Sequence, residues 1–292
     1  MSASGITWQR RLADTMNLFL TRAGMRLVRA SSSDQYLLQG YTEEVCDGVT
    51  MRFDPHHASF WAVFRERRWE PQTLDILRRH LTPGSVYYDI GAWIGPTVVY
   101  AAQRSKTVFA FEPDPVAYRY LLENITNNSL TNVRAFNLAL AATAGVSEIH
   151  SFGTKLGDSM SSLLPQAEGS SGWPVTRVTI DTLVNELGCA KPDFMKIDIE
   201  GGEFELLPAL RSHLERWKPV LYLSLHAPFL PAEQRRDRLA RLAQALDFYP
   251  VAIDYYDESD RGSSPGFMLS SLPSSPYRDE FGSVLLLPSA AT

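Results

Sequence analysis

At 292 residues, with 45% hydrophobic and 21% charged side chains, the chain can bury a sizeable core and has ordinary globular composition, neither disordered nor fibrous. A formal net charge of -5 argues against a general phosphate-backbone binder, which gains affinity by releasing counterions with clustered Lys and Arg, so no nucleic-acid partner is expected. With only two cysteines, Cys46 and Cys189, neither a disulfide framework nor a multi-cysteine zinc site can be argued from spacing, and a reducing, cytoplasmic setting fits best.

The first helical pattern, Thr7 to Val28, is interrupted by Arg10, Arg11, Asp14, Arg22 and Arg26, so it lacks the apolar core of a signal peptide. No later run is long enough to cross a bilayer. Peripheral membrane contact through this basic amphipathic segment stays open, with docking onto the body of the protein as the plainer reading. Arg65, Arg67 and Arg68 form a local basic cluster, and His56 and His57 beside Asp54 read as loop residues, because adjacent histidines lack the helical spacing of a two-His metal site. Thr82-Pro83-Gly84 is a turn signal. It divides an N-terminal helical or irregular layer, residues 1–80, from the main domain, residues 81–292.

From Ser85 onward, short apolar or β-branched runs alternate with helical patterns, which predicts an α/β fold with a doubly wound, mostly parallel seven-stranded sheet. The expected strands are Val86 to Ile90, Thr107 to Phe111, Val133 to Leu138, Phe194 to Ile199, Val220 to Leu225, Pro250 to Tyr255 and Ser283 to Leu287. Glu148 to Phe152 and Val175 to Ile180 read as extra strands around a Gly- and Ser-rich surface excursion. Asp181 is expected to cap a helix from Thr182 to Leu187, with Gly188 as its stop. Arg235, Arg236, Arg238 and Arg241 read as the solvated face of a helix. Asp257 to Pro276 is too polar for core and too long for an ordinary connection, which leaves a disordered loop or a substrate lid.

The strongest local signal is Val86-Tyr87-Tyr88-Asp89-Ile90-Gly91-Ala92-Trp93-Ile94-Gly95-Pro96-Thr97, an apolar strand ending in an acid, then a glycine-bounded turn opening a helix. It places a cofactor at the carboxyl end of the first strand. A dinucleotide fingerprint needs a middle glycine so that the pyrophosphate can approach the backbone, and Trp93 fills that place. Asp89 would repel a diphosphate but attract the ammonium of a methionine moiety, so the donor expected here is S-adenosylmethionine. Glu112, ending the second strand before Pro113, is suited to accept hydrogen bonds from both ribose hydroxyls. Asp114 is the better helix cap. Asn137 and Ala139, after the third strand, border the expected adenine pocket, and Asn137 reads equally as a turn-capping amide.

The second strong signal is Phe194-Met195-Lys196-Ile197-Asp198-Ile199-Glu200-Gly201-Gly202-Glu203, in which alternation sends Lys196, Asp198 and Glu200 to one face. Three ionisable groups on one face of a core strand are costly to bury unless paired or functional. Together with Asp89-Ile90-Gly91-Ala92 and Gly95, Phe111-Glu112-Pro113 and Leu138-Ala139-Leu140, this run resembles the FkbM family of methyltransferases, from about Trp69-Glu70-Pro71 to His226. The resemblance implies a class I methyltransferase fold of the Rossmann-like type, S-adenosylmethionine as donor, and O-methylation of sugar, glycan or natural-product hydroxyls. Two departures are Trp93, where the family carries a small polar residue, commonly Asn, and Ser224, where it often has an acid before the equivalent of His226.

Asp198 is placed to act as base, or to bind a divalent cation such as Mg²⁺ that lowers the acceptor's pKa. His226 is the alternative base, and Lys196 neutralises Asp198 or Glu200. Glu203 reads as an acid favouring a helix N-terminus. A nicotinamide-dependent oxidoreductase, a non-catalytic module that keeps the fold, and N-methylation remain as alternatives. A homo-oligomer is compatible with the sequence.

Overall fold

Apolar runs separated by helical patterns build the expected doubly wound sheet, seen here in a computed structural model that describes residues 40–151, 156–164, 172–255, 264–265 and 267–289. The pattern from Thr7 to Val28 lies outside the described residues, as does Phe152. The described chain opens with an antiparallel hairpin, β1 (Thr42–Cys46) and β2 (Val49–Phe53), then helices α1 (Ala58–Arg65) and α2 (Pro71–His80). The hairpin was not expected, because its buried positions, Cys46, Met51 and Phe53, make too short an alternation to stand out.

Two βαβ units follow: β3 (Val86–Ile90), α3 (Pro96–Ala102), β4 (Thr107–Phe111), α4 (Pro115–Asn127) and β5 (Val133–Phe136). The excursion β6 (Ala139–Leu140), β7 (Gly145–Ser151), β8 (Ser161–Ser162) and β9 (Trp173–Val178) makes its own small sheet in the order β6-β9-β7-β8. The chain then supplies α5 (Ile180–Asn185), β10 (Phe194–Ile197), α6 (Glu203–Trp217), β11 (Val220–Leu225) and α7 (Ala232–Ala245), and ends with β12 (Val251–Tyr255), β13 (Ser264–Pro265) and β14 (Gly282–Leu287).

The main sheet runs β5-β4-β3-β10-β11-β14-β12-β13. Its first five strands are mutually parallel, and β14 inserts antiparallel between β11 and β12. Seven of these correspond to the expected strands, the fourth ending at Ile197 rather than Ile199 so that Asp198 lies just past it, and the two-residue β13 is added at the edge. Alternation divides the sheet between two cores. Ile90, Ile197 and Leu223 face α6 and α7, while Tyr87, Phe194 and Tyr222 face α2 and α3. Register sets Asp89, Lys196 and Tyr222 abreast on three adjacent strands, all on the second of these faces. Strand order reverses between β3 and β10, so a cleft is expected beyond their carboxyl ends.

Three expectations need correction. The third strand stops at Phe136, because the Asn137 amide turns back to donate to the Glu112 and Pro113 carbonyls at 2.9 and 3.1 Å. Helix α5 starts two residues early, since Thr179 Oγ1 accepts from Thr182 N and takes the capping role given to Asp181. The segment Asp257 to Pro276 is not wholly outside the core: part of it is undescribed, but Leu272 is fully buried, as is the adjoining Tyr277, whose hydroxyl donates to the Ser283 carbonyl at 2.8 Å. Among the described residues no helix is long and apolar enough to cross a membrane.

Candidate active site

Beyond the carboxyl ends of β3, β4, β10 and β11 opens a cavity of about 820 Å³. The turn after β3 forms part of its wall. Gly91 has φ +84°, and a Cβ there would lie 1.7 Å from the Asp198 carbonyl oxygen, so the approach of the two strand ends admits no side chain. Trp93 takes φ +48°, a left-handed conformation costing roughly 1–2 kcal/mol for a bulky residue. Its indole N–H donates to the Gly157 carbonyl at 3.0 Å, and the rings of Phe60 and His57 meet it edge-on at 4.6 and 6.0 Å. These contacts offset the strain. Asn visits this conformation readily and would carry less of that strain.

Glu112 closes β4 with both carboxylate oxygens engaged: Oε2 accepts from Trp93 N at 2.7 Å and Oε1 from Asp114 N at 2.8 Å. Burial pushes its carboxyl up to about 8, and the two amides oppose that rise. Asp114 caps α4 by accepting from Val116 and Ala117, as expected, and its second oxygen holds Gly157 N and the Ser161 hydroxyl at 2.6 and 2.7 Å. Residues 156–164 are thereby pinned along the cavity, with the Ser162 hydroxyl donating to the Glu200 carbonyl at 2.6 Å.

At the other end, β10 and β11 deliver a charged cluster. The Lys196 ammonium lies 2.8 Å from Asp198 Oδ2, and His226 Nε2 lies 3.4 Å from Asp198 Oδ1 and 3.5 Å from Glu200 Oε2. Glu203 is fully buried beneath them. Its Oε1 accepts from His226 N at 2.7 Å and sits 3.3 Å from His226 Nδ1, while Oε2 accepts from Gly201 N at 2.9 Å. Burial works to raise the Asp198 carboxyl, yet Lys196 and His226 outweigh it and hold that group below the usual carboxylate range. Burial disfavours a charged His226, but Glu203, Glu200 and Asp198 lift it to about 9. Glu200 is raised to about 8, first by burial and then by its acidic neighbours, against the pull of His226. Glu200 also has φ +51°, and such strain accumulates at functional sites.

Of the residues singled out from sequence, Gly91, Ala92, Trp93, Thr97, Glu112, Pro113, Ala139, Lys196, Asp198, Glu200 and His226 all line this one cavity. Asp89, Gly95 and Asn137 do not. Asp89 is buried below the wall, where Thr97 Oγ1 donates to it at 2.5 Å; burial raises its carboxyl and the Lys196 ammonium opposes that. Its carboxylate points into the covered sheet face and does not reach the cavity. Gly95, at φ +88°, packs its α-carbon toward Leu121 as the residue before α3, and Asn137 caps the turn already described. His56 and His57 pack on Tyr120 and do not line the cavity, His57 meeting the Trp93 ring beside it.

Sequence reasoning missed four participants. Glu203 looked like any first-turn acid. Glu70 lines the cavity in a strained left-handed conformation, φ +38°, just before Pro71, and its field raises Lys196. Phe229 stacks on His226 at 6.0 Å and meets Phe281 at 5.2 Å, forming an aromatic rim. Arg238, read as solvated helix surface, reaches the cavity wall and pairs with Glu205.

Comparison with known proteins points to a domain family. Residues 89–274 match the model of the methyltransferase FkbM domain. Hexuronic acid methyltransferase AglP of Haloferax volcanii is 26% identical over 178 residues, 59% of this chain and 69% of the relative. The tRNA (guanine(37)-N(1))-methyltransferase of Saccharomyces cerevisiae is 30% identical over 112 residues, 38% of this chain and only 21% of its own length. The crystal structure of methyltransferase FkbM from Methylobacillus flagellatus KT aligns at TM-score 0.45 and 14% identity, over 70% of this chain and 44% of that one. With the domain model spanning more than half of its length, and with the parallel order of β5-β4-β3-β10-β11 and the antiparallel β14 beside it, the chain belongs to the methyltransferase FkbM domain family.

Proposed function

We propose that the protein transfers a methyl group from S-adenosylmethionine to a hydroxyl of a sugar, glycan or related small-molecule acceptor. The observation that carries this reading is the presence, in one cavity, of Glu112 at one end and the Asp198, Glu200 and His226 cluster at the other. Glu112 is held by two backbone amides with its remaining lone pairs free for a donor's ribose hydroxyls. The acid-rich opposite end suits a sulfonium and an ammonium and disfavours a nicotinamide diphosphate. Trp93, standing where that diphosphate would need glycine, weighs the same way.

In the proposed reaction the acceptor oxygen bonds to the methyl carbon as the carbon–sulfur bond breaks, leaving S-adenosylhomocysteine, and the hydroxyl proton passes to Asp198. Lys196 keeps Asp198 ionised for that role. Bringing oxygen and sulfonium into line supplies much of the acceleration. Phe229 and Phe281 offer apolar faces on which a saccharide ring can pack beside His226. One relative, named as acting on a hexuronic acid, supports the saccharide class. The two free cysteines, Cys46 and Cys189, favour a reducing, cytoplasmic setting for the enzyme.

The relatives named for tRNA favour a second reading, N-methylation of RNA, against which the net charge of -5 weighs. Incubation with donor and a panel of saccharides, followed by mass spectrometry, should show a gain of about 14 Da, one added CH₂, on a saccharide. Methyl transfer to tRNA with no saccharide modified would overturn the proposal in favour of the second reading.

A further inference from the structure

We propose that Asp198 Oδ1, Glu200 Oε2 and His226 Nε2 bind one divalent cation of the Mg²⁺ or Mn²⁺ class, with Glu203 as the carboxylate that orients the histidine. The three ligand atoms lie within 4.8 Å of one another, the one such grouping of acids and histidine among the described residues. A cluster of this kind can also be a plain ion-pair network, and three features separate the two.

First, the Nε2 contacts at 3.4 and 3.5 Å are too long for charge-assisted hydrogen bonds, whose usual N–O distance is about 2.7–2.9 Å. The atoms converge on a common point without bonding to each other. Second, the far side of the ring faces a buried carboxylate. Glu203 accepts from the His226 backbone N–H at 2.7 Å and its carboxylate lies 3.3 Å from Nδ1, which is buried and makes no hydrogen bond of its own, so Nε2 is the ring nitrogen that faces Asp198 and Glu200. A carboxylate behind a histidine whose other nitrogen faces an open position is the arrangement that orients metal-ligating histidines. Third, Asp198 divides its two oxygens: Oδ2 receives the Lys196 ammonium, and Oδ1 is left facing Glu200 and His226.

Charge also favours a cation. Besides the ligands Asp198 and Glu200, the carboxylates of Glu70, Asp89 and Glu203 lie near Lys196 and His226, and Lys196 is the cation of this group that stays charged whatever His226 does. Two carboxylate oxygens and one imidazole, with cavity space in front for oxygen ligands, fit Mg²⁺ or Mn²⁺ better than a closed tetrahedral zinc site. A cation here would lower the pKa of an acceptor hydroxyl beside Asp198 and hold it in place. That role rests on the methyltransferase reading, whereas the binding itself does not.

The test is titration of metal-stripped protein with Mn²⁺, read by loss of the free-ion paramagnetic resonance signal, alongside calorimetry with S-adenosylhomocysteine. The expected result is one Mn²⁺ per chain, with affinity weakened about tenfold or more by Glu203→Gln and more severely by Glu200→Gln or His226→Asn. A single cooperative thermal unfolding transition in each variant shows that it folds. No Mn²⁺ uptake up to about 1 mM by protein that binds S-adenosylhomocysteine overturns the metal site and leaves the methyltransferase reading standing. Uptake that all three variants leave unchanged also overturns it. Mn²⁺ binding that depends on these residues in protein with no affinity for S-adenosylhomocysteine upholds the site and sinks the donor reading instead.

Discussion

Removing the carboxylate at the end of β4 should cripple donor binding. Glu112 is 5% exposed, and its two oxygens already hold Trp93 N and Asp114 N. If it also accepts two ribose hydroxyls, each hydrogen bond to the charged group contributes about 1.5–3 kcal/mol before losses elsewhere. Glu112→Ala should therefore weaken S-adenosylhomocysteine by roughly 2–4 kcal/mol, or about 30- to 1,000-fold in Kd. The wild-type response to pH gives an independent check. With its carboxyl raised to about 8, Glu112 is mostly protonated at pH 6 in the free protein, and only the ionised form accepts from both hydroxyls. A ligand that selects a minor form loses affinity by the fraction of that form. The apparent Kd should thus tighten about tenfold per pH unit between 6 and 8, then level off, and Glu112→Gln should abolish that slope. Isothermal calorimetry at fixed ionic strength measures both. An alanine variant that binds as well as wild type, or a wild-type affinity flat from pH 6 to 8, would refute the assignment of Glu112 to the ribose.

Further substitutions probe the surrounding frame. Gly91→Ala places a methyl 1.7 Å from a backbone oxygen at φ +84°, so it should cost more than about 4 kcal/mol and prevent isolation of folded protein, whereas Gly84→Ala, with its nearest neighbour at 3.9 Å, should leave Tm unchanged. A stable, donor-binding Gly91→Ala protein would show that the crossing of the β3 and β10 ends is misplaced. Trp93→Asn relieves backbone strain but loses the indole hydrogen bond to Gly157 and the Phe60 and His57 edges. The balance should be a loss of about 1–2 kcal/mol and a Tm lowered by a few degrees, with a gain in Tm counting against the clasp. Glu203→Gln turns one of two backbone N–H groups toward an amide NH₂, which should destabilise the protein by about 1–3 kcal/mol and reduce turnover about 10- to 100-fold at unchanged donor affinity. Full turnover in that variant would show that His226 needs no orienting partner.

The parts of the molecule legible from sequence were those where one local rule decides the outcome. β3, β4, α4 and β11 fall where alternation and the Asp114-Pro115 start place them, because each is a run with a clear period and a clear stop. Glu112, Asp198 and Glu200 were readable because a charged residue ending a buried strand has few reasons to be there. What stayed hidden depends on distant partners. Nothing local separates Glu203 from an ordinary first-turn acid until the β11 end brings His226 to it. Glu70 becomes a cavity residue only once α2 docks across β10 and β11, where Thr73 reaches the Tyr222 hydroxyl. Asp89 misled for the opposite reason: the strand ends one residue beyond it, and its face of the sheet is covered by α3. Likewise Asn137 satisfies backbone carbonyls that the pattern could not show to be unpaired.

A crystal structure of the protein with S-adenosylhomocysteine tests the central claim most directly. The prediction is density in the cavity with both ribose hydroxyls on Glu112 and the sulfur turned toward Asp198 and His226. A cleft filled instead by the Trp93 indole, or the nucleoside bound elsewhere on the chain, would contradict it.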